Sequence, residues 1–282
     1  NNHEEEAVNE NNHPNVIAIC NGKGGAAKTT ATVNLGYALA DAGLKVLIID
    51  LDHSACATKA LLGKPINPHT YSIFEFIAGM ADNRKITFQD VAIERWENLT
   101  LIPSKERLEE IETIFTFAAN KNPRGDVRLY LRYRIKSIDE AFDIILLDCP
   151  SGNRYIPKNA LIAANYVIIP GYDIQSIEGA VELKDKIDYE IREMNPSIRI
   201  LGFLVTKYAG RFRRDGDFDS KLEKCIMFDV FKTRIREDRK IDEAYKHGKT
   251  ILEYKRWSNA GMDYARLARE LMNKLDAMGK ED

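Results

Sequence analysis

Gly22 to Thr29 reads Gly-Lys-Gly-Gly-Ala-Ala-Lys-Thr, a glycine-rich turn that runs into a lysine. Set between a strand and a helix, such a turn converges backbone N–H groups on a phosphate at the positive end of the helix dipole, and the lysine adds a point charge for the β- and γ-phosphates. The usual spacing is G-x-x-x-x-G-K-[ST], and Ala27 stands where the second glycine belongs. Asp148 closes the apolar run Ile144 to Leu147. An acid there either holds a magnesium water shell at the carboxyl end of a strand or simply caps a helix. Asp50 and Asp52 close a second run, Val46 to Ile49. Two carboxylates beside a phosphate suit metal-water contact and the placing of an attacking water, although either also serves as a turn residue.

The elements that must position these groups follow from hydrophobic patterning. Val16 to Cys20 is a short apolar run, and from Thr29 to Ala42 apolar residues recur at helical spacing until Gly43. Further strand-like runs are Leu99 to Pro103, Tyr166 to Pro170 and Ile198 to Val205. Runs apolar on both faces, separated by helical patterns, predict an α/β fold with a mostly parallel sheet flanked by helices on both faces. Between Pro68 and Glu140 the pattern predicts helices over Ser72 to Ala78 and Ser104 to Ala119 and a basic stretch, Arg128 to Arg134, all read as an insertion within one domain spanning 15–282. Residues 1–14, polar with four Glu, read as a disordered acidic tail. A closing amphipathic helix is expected from Ser258 to Met278.

Composition excludes several classes. Forty-one Lys plus Arg against 43 Asp plus Glu give a net charge of -2, which rules out a uniformly basic nucleic-acid coat. No apolar stretch approaches the roughly 18 residues of a membrane span. The chain therefore reads as cytosolic. Four cysteines, Cys20, Cys56, Cys149 and Cys225, lie far apart with no C-x-x-C, so they read as reduced thiols, two of them in apolar strands, and not as a disulfide framework or zinc knuckle.

Lys23 sits inside the loop before the paired glycines, and Lys23 to Thr30 resembles the deviant Walker A motif K-G-G-x-x-K-T-T of the ParA/MinD branch of P-loop ATPases. Val46 to Asp52 is similar to that family's Walker A-prime strand and Phe142 to Pro150 to its Walker B strand. Asn159-Ala160-Leu161, Val167 to Pro170, Ile177-Glu178-Gly179, Gly248 to Ile251 and Ala265 to Leu271 follow in family order. The likeness covers about 15 to 275. It implies that ATP closes two subunits face to face, that Lys23 reaches the partner's nucleotide, and that Gly22, Lys23, Gly24, Gly25, Ala26, Ala27, Lys28, Thr29 and Thr30 form the nucleotide loop. Lys28 would contact the β/γ-phosphates, Thr29 would ligate Mg2+, Asp52 would position the hydrolytic water, and Asp50 and Asp148 would support the metal shell. Two departures stand out, Ala27 and the stretch His53 to Thr58, where the familiar form is P-Q-G-N-A-T. For Ala27 the expectation is that it adopts allowed dihedrals while Gly24 and Gly25 absorb the change, leaving ATP binding intact.

Within the family, the acidic, weakly apolar end Lys274 to Asp282 is unlike the basic membrane-binding helix of MinD relatives, and only Cys149 suggests the iron-sulfur branch. Cys149 instead resembles the D-C-P cysteine of ParA proteins, a buried small residue. From Lys207 to Arg256 there are fifteen Lys plus Arg against ten Asp plus Glu, which is a solvated face or a phosphate-binding one. The resemblance makes Arg211, Arg213, Arg214, Arg236, Arg239 and Lys240 candidates for non-specific DNA contacts. It implies a ParA-type, nucleoid-associated partition ATPase with weak intrinsic turnover, released from DNA when a ParB-like centromere-binding protein stimulates hydrolysis. An ATP-binding scaffold with little hydrolysis, or an ATPase positioning a protein cargo, remain open.

Overall fold

The expected apolar runs all become strands. In the computed structural model, which describes residues 14–81, 84–121, 126–138, 142–152, 154–209 and 216–280, they are β1 (Asn15–Ile19), β2 (Val46–Asp50), β4 (Leu99–Ile102), β5 (Ile144–Asp148), β6 (Tyr166–Gly171) and β7 (Arg199–Val205). One strand, β3 (Ile93–Trp96), was not expected; it alternates half-buried with exposed residues and turns back on β4 through Asn98, whose φ of 63° closes the turn. The sheet order is β3-β4-β2-β5-β1-β6-β7. Every pairing is parallel except β3 with β4, so the fold is a mostly parallel sheet with one antiparallel edge. The Pro68 to Glu140 segment is no excursion from this sheet, because its β4 pairs with β2.

Eleven α-helices complete the described residues: α1 (Lys28–Asp41), α2 (Cys56–Leu62), α3 (Ile73–Ala81), α4 (Ile111–Lys121), α5 (Tyr130–Lys136), α6 (Tyr155–Ala163), α7 (Ile174–Lys186), α8 (Gly216–Cys225), α9 (Lys240–Lys246), α10 (Ile251–Lys255) and α11 (Asn259–Met278). The helix expected from Ser104 starts later, because Glu106–Glu110 winds as a 3-10 turn before α4. In β1 and the residue after it, Val16, Ala18 and Cys20 face one core and Ile17 and Ile19 the other. This two-sided burial is why the strands read as continuous apolar runs without alternation. One core holds residues of α3 to α8, the other residues of α1, α2, α10 and α11. Because β2, β5 and β1 are parallel neighbours, their carboxyl ends emerge side by side. That places the glycine loop, Asp50 and Asp148 at one edge of the sheet, at the crevice where nucleotides bind in such folds.

The expected tail, apart from Pro14, lies outside the described residues, as do Arg211, Arg213 and Arg214. The basic stretch Arg128 to Arg134 is mostly helix α5; Arg128 stays exposed on Asp126 (2.7 Å), while Arg132 and Arg134 turn inward. Arg132 donates to the carbonyl oxygens of Met194, at 3.1 Å, and Ile162; Arg134 donates to Ile86 O at 3.0 Å and lies over the Phe76 ring.

Candidate functional site

The loop is anchored by a residue that sequence reasoning passed over. Asn21 is fully buried at the end of β1; its amide donates to Pro170 O (2.8 Å) and Ser176 O (3.0 Å), and its Oδ1 accepts from the Lys23 N–H (2.9 Å). This ties the loop to β6 and the first turn of α7. Gly179 of α7 makes room for it, since a Cβ there would lie 2.5 Å from Asn21 Oδ1 and 3.1 Å from Lys23 N. The signal was present in Ile177-Glu178-Gly179, but only the fold shows that this glycine faces the loop.

Beyond the anchor the chain turns through two left-handed residues, Gly25 at φ 77° and Ala27 at φ 63°, ψ 26°. The expectation that Gly24 and Gly25 would relieve Ala27 is therefore not met. Ala27 itself takes the glycine conformation, at a cost of about 1–2 kcal/mol for an L-residue. In exchange the loop keeps its shape and α1 starts at Lys28, with Ala27 O accepting from Ala31 N. Ala55, which stands where P-Q-G-N-A-T has its glycine, does the same at φ 53°, ψ 39° as the N-cap of α2.

The groups singled out for chemistry meet around this loop. Lys28, only 8% exposed, donates through Nζ to Lys23 O at 3.1 Å, so its ammonium is folded back across the loop it must serve. Thr29 Oγ1 donates to Asp148 Oδ2 (2.8 Å) and Thr32 Oγ1 to Asp148 Oδ1 (3.1 Å). Asp50 pairs with Asp148 in the β2–β5 register and accepts from the Thr58 N–H (2.8 Å), the Thr58 hydroxyl (2.7 Å) and the Asp52 N–H (3.1 Å). Both carboxylates are fully buried. Burial pushes Asp50 up to about 6, and burial followed by the charge of Asp50 raises Asp148 well above the ordinary carboxylate range. Two acids stacked at adjacent strand ends beside a threonine hydroxyl fit a hydrated divalent cation, which would relieve their mutual repulsion.

Asp52 lies at the mouth of the site. Its Oδ1 accepts from Ser54 N (2.9 Å) and Ser54 Oγ (2.7 Å), which fixes the carboxylate beside the loop. An open cleft of about 640 Å3 joins Gly25 to Thr30 with Asp52, Ser151, Lys207 and Tyr245. Lys207 and Tyr245 come from the end of β7 and from α9, too far along the chain for spacing to reveal them. Lys207 is left-handed at φ 50°, and its ammonium sits 4.3 Å from the centre of the Tyr172 ring. Lys23 stands apart from the cleft lining, with Nζ on the Gln175 side-chain oxygen of α7.

A second contact links the cleft wall to the carboxyl-terminal helices. α2 ends at Gly63 and α9 is followed by Gly248, both left-handed (φ 71° and 61°), and a Cβ on Gly248 would lie 2.7 Å from Gly63 Cα. Arg95 of β3 clamps the pair by donating to Leu61 O, to Gly248 O (2.8 Å) and to Glu253 (3.0 Å).

The expected DNA residues separate. Arg236 is occupied: its guanidinium makes paired bonds of 2.8 Å to both oxygens of the buried Asp263 and another of 2.8 Å to Asn259 Oδ1. It braces α11 against the segment after β7, so its guanidinium is already engaged within the fold. Arg239 is exposed and makes no ion pair among the described residues. Lys240 meets Lys255, and this contact between two ammoniums holds the Lys255 pKa below its ordinary value. Trp257, 80% exposed, follows two residues later.

A parallel sheet, a glycine loop opening a helix and a strand-end acid behind its threonine define a P-loop nucleotide-binding protein. A family model described as an AAA domain matches residues 14–200. The chain is 31% identical to the sporulation initiation inhibitor protein Soj of Bacillus subtilis over 261 residues, covering 91% of this chain and 97% of that protein. Among solved structures it is similar to the septum site-determining protein MinD of Pyrococcus horikoshii, complexed with Mg-ADP, at 26% identity and TM-score 0.72 over 92% of this chain and 96% of that one. It shares its fold with cobyrinic acid a,c-diamide synthase of Mycobacterium smegmatis at TM-score 0.77 and 24% identity, over 94% and 96% of the two chains. The chain belongs to the ParA/MinD family of P-loop ATPases.

Proposed function

We propose that this chain is a DNA-partition ATPase that dimerises on binding ATP and Mg2+, holds DNA without sequence preference and lets go when a ParB-like centromere-binding partner stimulates hydrolysis. The observation that carries the reading is the convergence of Lys28, Thr29, Asp50, Asp52 and Asp148 on one loop, in a chain 31% identical to Soj along nearly its whole length. Loop N–H groups and Lys28 hold the phosphates, and Lys28 exchanges its bond to Lys23 O for a phosphate oxygen. Thr29 and the Asp50–Asp148 pair hold the metal shell. Bound Mg2+ neutralises charge on the β- and γ-phosphate oxygens. Asp52, held by Ser54, orients water. Lys23, outside the cleft of its own subunit, supplies positive charge to the nucleotide of the other.

DNA meets the surface carrying Arg239, Lys240 and Lys255. Two ammoniums in contact repel each other, and a phosphate placed between them removes that repulsion. No helix among the described residues is long and apolar enough to cross a membrane.

The test is phosphate release by the full chain, measured alone, with DNA, and with DNA plus the partner, alongside light scattering with ATP or ADP. Slow basal release, stimulation by both additions together and a doubling of mass with ATP are expected. An unchanged mass with ATP, and DNA binding indifferent to nucleotide, would remove this reading.

A further inference from the structure

Two thiols sit where the glycine loop leaves the sheet. The β1–β5 register pairs Ile19 with Asp148, and Cys149 N donates to Ile19 O, so Cys20 and Cys149 are the next facing pair on neighbouring parallel strands. Both lie in the same core, and the Cys149 thiol donates to Leu147 O at 3.6 Å. Neighbouring strands run about 4.8 Å apart, inside the roughly 4.4–6.8 Å Cα separation that a disulfide spans. Cys20 also lines a cavity of about 420 Å3 with Gly22, Gly152, Gly179 and Lys186. That space dwarfs the ~30 Å3 share of one water molecule, so a small neutral oxidant fits beside Cys20, itself 3% exposed.

We propose that Cys20 and Cys149 form a hydroperoxide-sensitive dithiol that gates nucleotide binding. The Cys20 sulfur attacks a peroxide oxygen; the S–O bond forms as the O–O bond breaks, the peroxide takes two electrons from sulfur, and one water leaves, giving a sulfenic acid. The Cys149 sulfur then attacks the Cys20 sulfur. The S–S bond forms, the S–O bond breaks, and the departing hydroxide carries off the Cys149 thiol proton as a second water. A dithiol reductant reverses the link by exchange.

The pair is well placed for oxidation. The neighbouring Cys149 thiol and the positive charges of Lys28 and Lys186 outweigh burial and lower the pKa of Cys20. The consequence falls on the site next door. Cys20 precedes the loop anchor Asn21, and Cys149 follows Asp148, which holds Thr29 and Thr32. A covalent bond drawing these strand ends together moves both anchors of the phosphate site at once.

The experiment uses the full chain with hydrogen peroxide, followed by alkylation of remaining thiols after unfolding, peptide mapping, and titration with a fluorescent ATP analogue in Mg2+. The expected result is a Cys20–Cys149 linked peptide together with nucleotide binding weakened about tenfold, both restored by dithiothreitol. In Cys149→Ala the link is absent and Cys20 is trapped as its sulfenic acid by dimedone. Recovery of Cys20 and Cys149 as alkylated thiols under conditions that oxidise the exposed Cys56 overturns the proposal, as does a formed link with unaltered nucleotide affinity. Neither result depends on DNA or partner binding, so the partition reading stands or falls separately.

Discussion

Asp50→Asn replaces a buried carboxylate with an amide of the same shape, and its effect on stability depends on pH in a calculable way. In the folded chain Asp50 titrates at about 6, against an ordinary value of 3.8. Between those values the folded state keeps a proton that the unfolded chain has released, so stability falls as pH rises through the window and levels off above it. Each unit is worth 1.36 kcal/mol, so ionised Asp50 costs the nucleotide-free fold about 3 kcal/mol at pH 7.5. Asparagine carries no charge, but its NH2 replaces the oxygen that accepted the Asp52 N–H, a pH-independent cost of about 1–3 kcal/mol. The variant should therefore start below the parent near pH 4 and gain about 2 kcal/mol on it between pH 4.5 and 7.5. Denaturation of both proteins without nucleotide or Mg2+ at several pH values measures this. Mg-nucleotide should stabilise the parent far more than the variant, because the variant lacks the second charge that holds the cation. A stability difference that does not change with pH would refute the burial argument and, with it, the acidic pair as a site kept ready for a cation.

Ala27→Gly should raise stability by about 0.5–1 kcal/mol, since relief of the left-handed alanine slightly exceeds the added freedom of glycine in the unfolded chain. Its ATP affinity, measured by calorimetry, should stay within about threefold of the parent because the loop is already in shape; binding that appears only in the glycine variant would contradict this. Arg236→Ala leaves the buried Asp263 with the main-chain N–H of residue 236 (3.0 Å) and the longer 3.3 Å bond from Arg266, and should cost about 2–3 kcal/mol in urea unfolding without altering the salt dependence of DNA binding. Changing Lys240 and Lys255 to Glu should leave ATP-driven dimerisation unchanged while abolishing DNA retention; undiminished retention moves the surface elsewhere. Lys23→Ala should bind nucleotide yet scatter light as a monomer in ATP.

The sheet and the phosphate loop were legible because both are written in contiguous residues: apolar runs buried on two faces, then glycines, a lysine and a threonine. Asp50 and Asp148 were legible for the same reason, each being the first polar residue after such a run. What spacing does not carry is partnership across the fold. Arg236 looked like its basic neighbours, yet Asp263, 27 residues on, claims it. Arg132 and Arg134 read only as part of a basic stretch, and they serve as donors to internal carbonyl oxygens. Asn21 drew no notice because its partners, Pro170 and Ser176, lie some 150 residues away. Strand β3 was missed because an edge strand, half exposed, shows neither a continuous apolar run nor a clean alternation.

The contact of Gly63 with Gly248 makes the molecule stiff along one particular line. Side chains bend and change rotamer when pushed, but here two main chains touch with nothing between them, and Arg95 grips both. The segment carrying Asp52 runs into α2 and ends at this contact. On its other side, α9 and α10 carry Lys240 and Lys255. A tilt of α2 would press directly on the turn between α9 and α10, the helices that carry the two lysines. The spacing of two positive charges and the position of Asp52 are thus joined by two residues that have no side chain to slip.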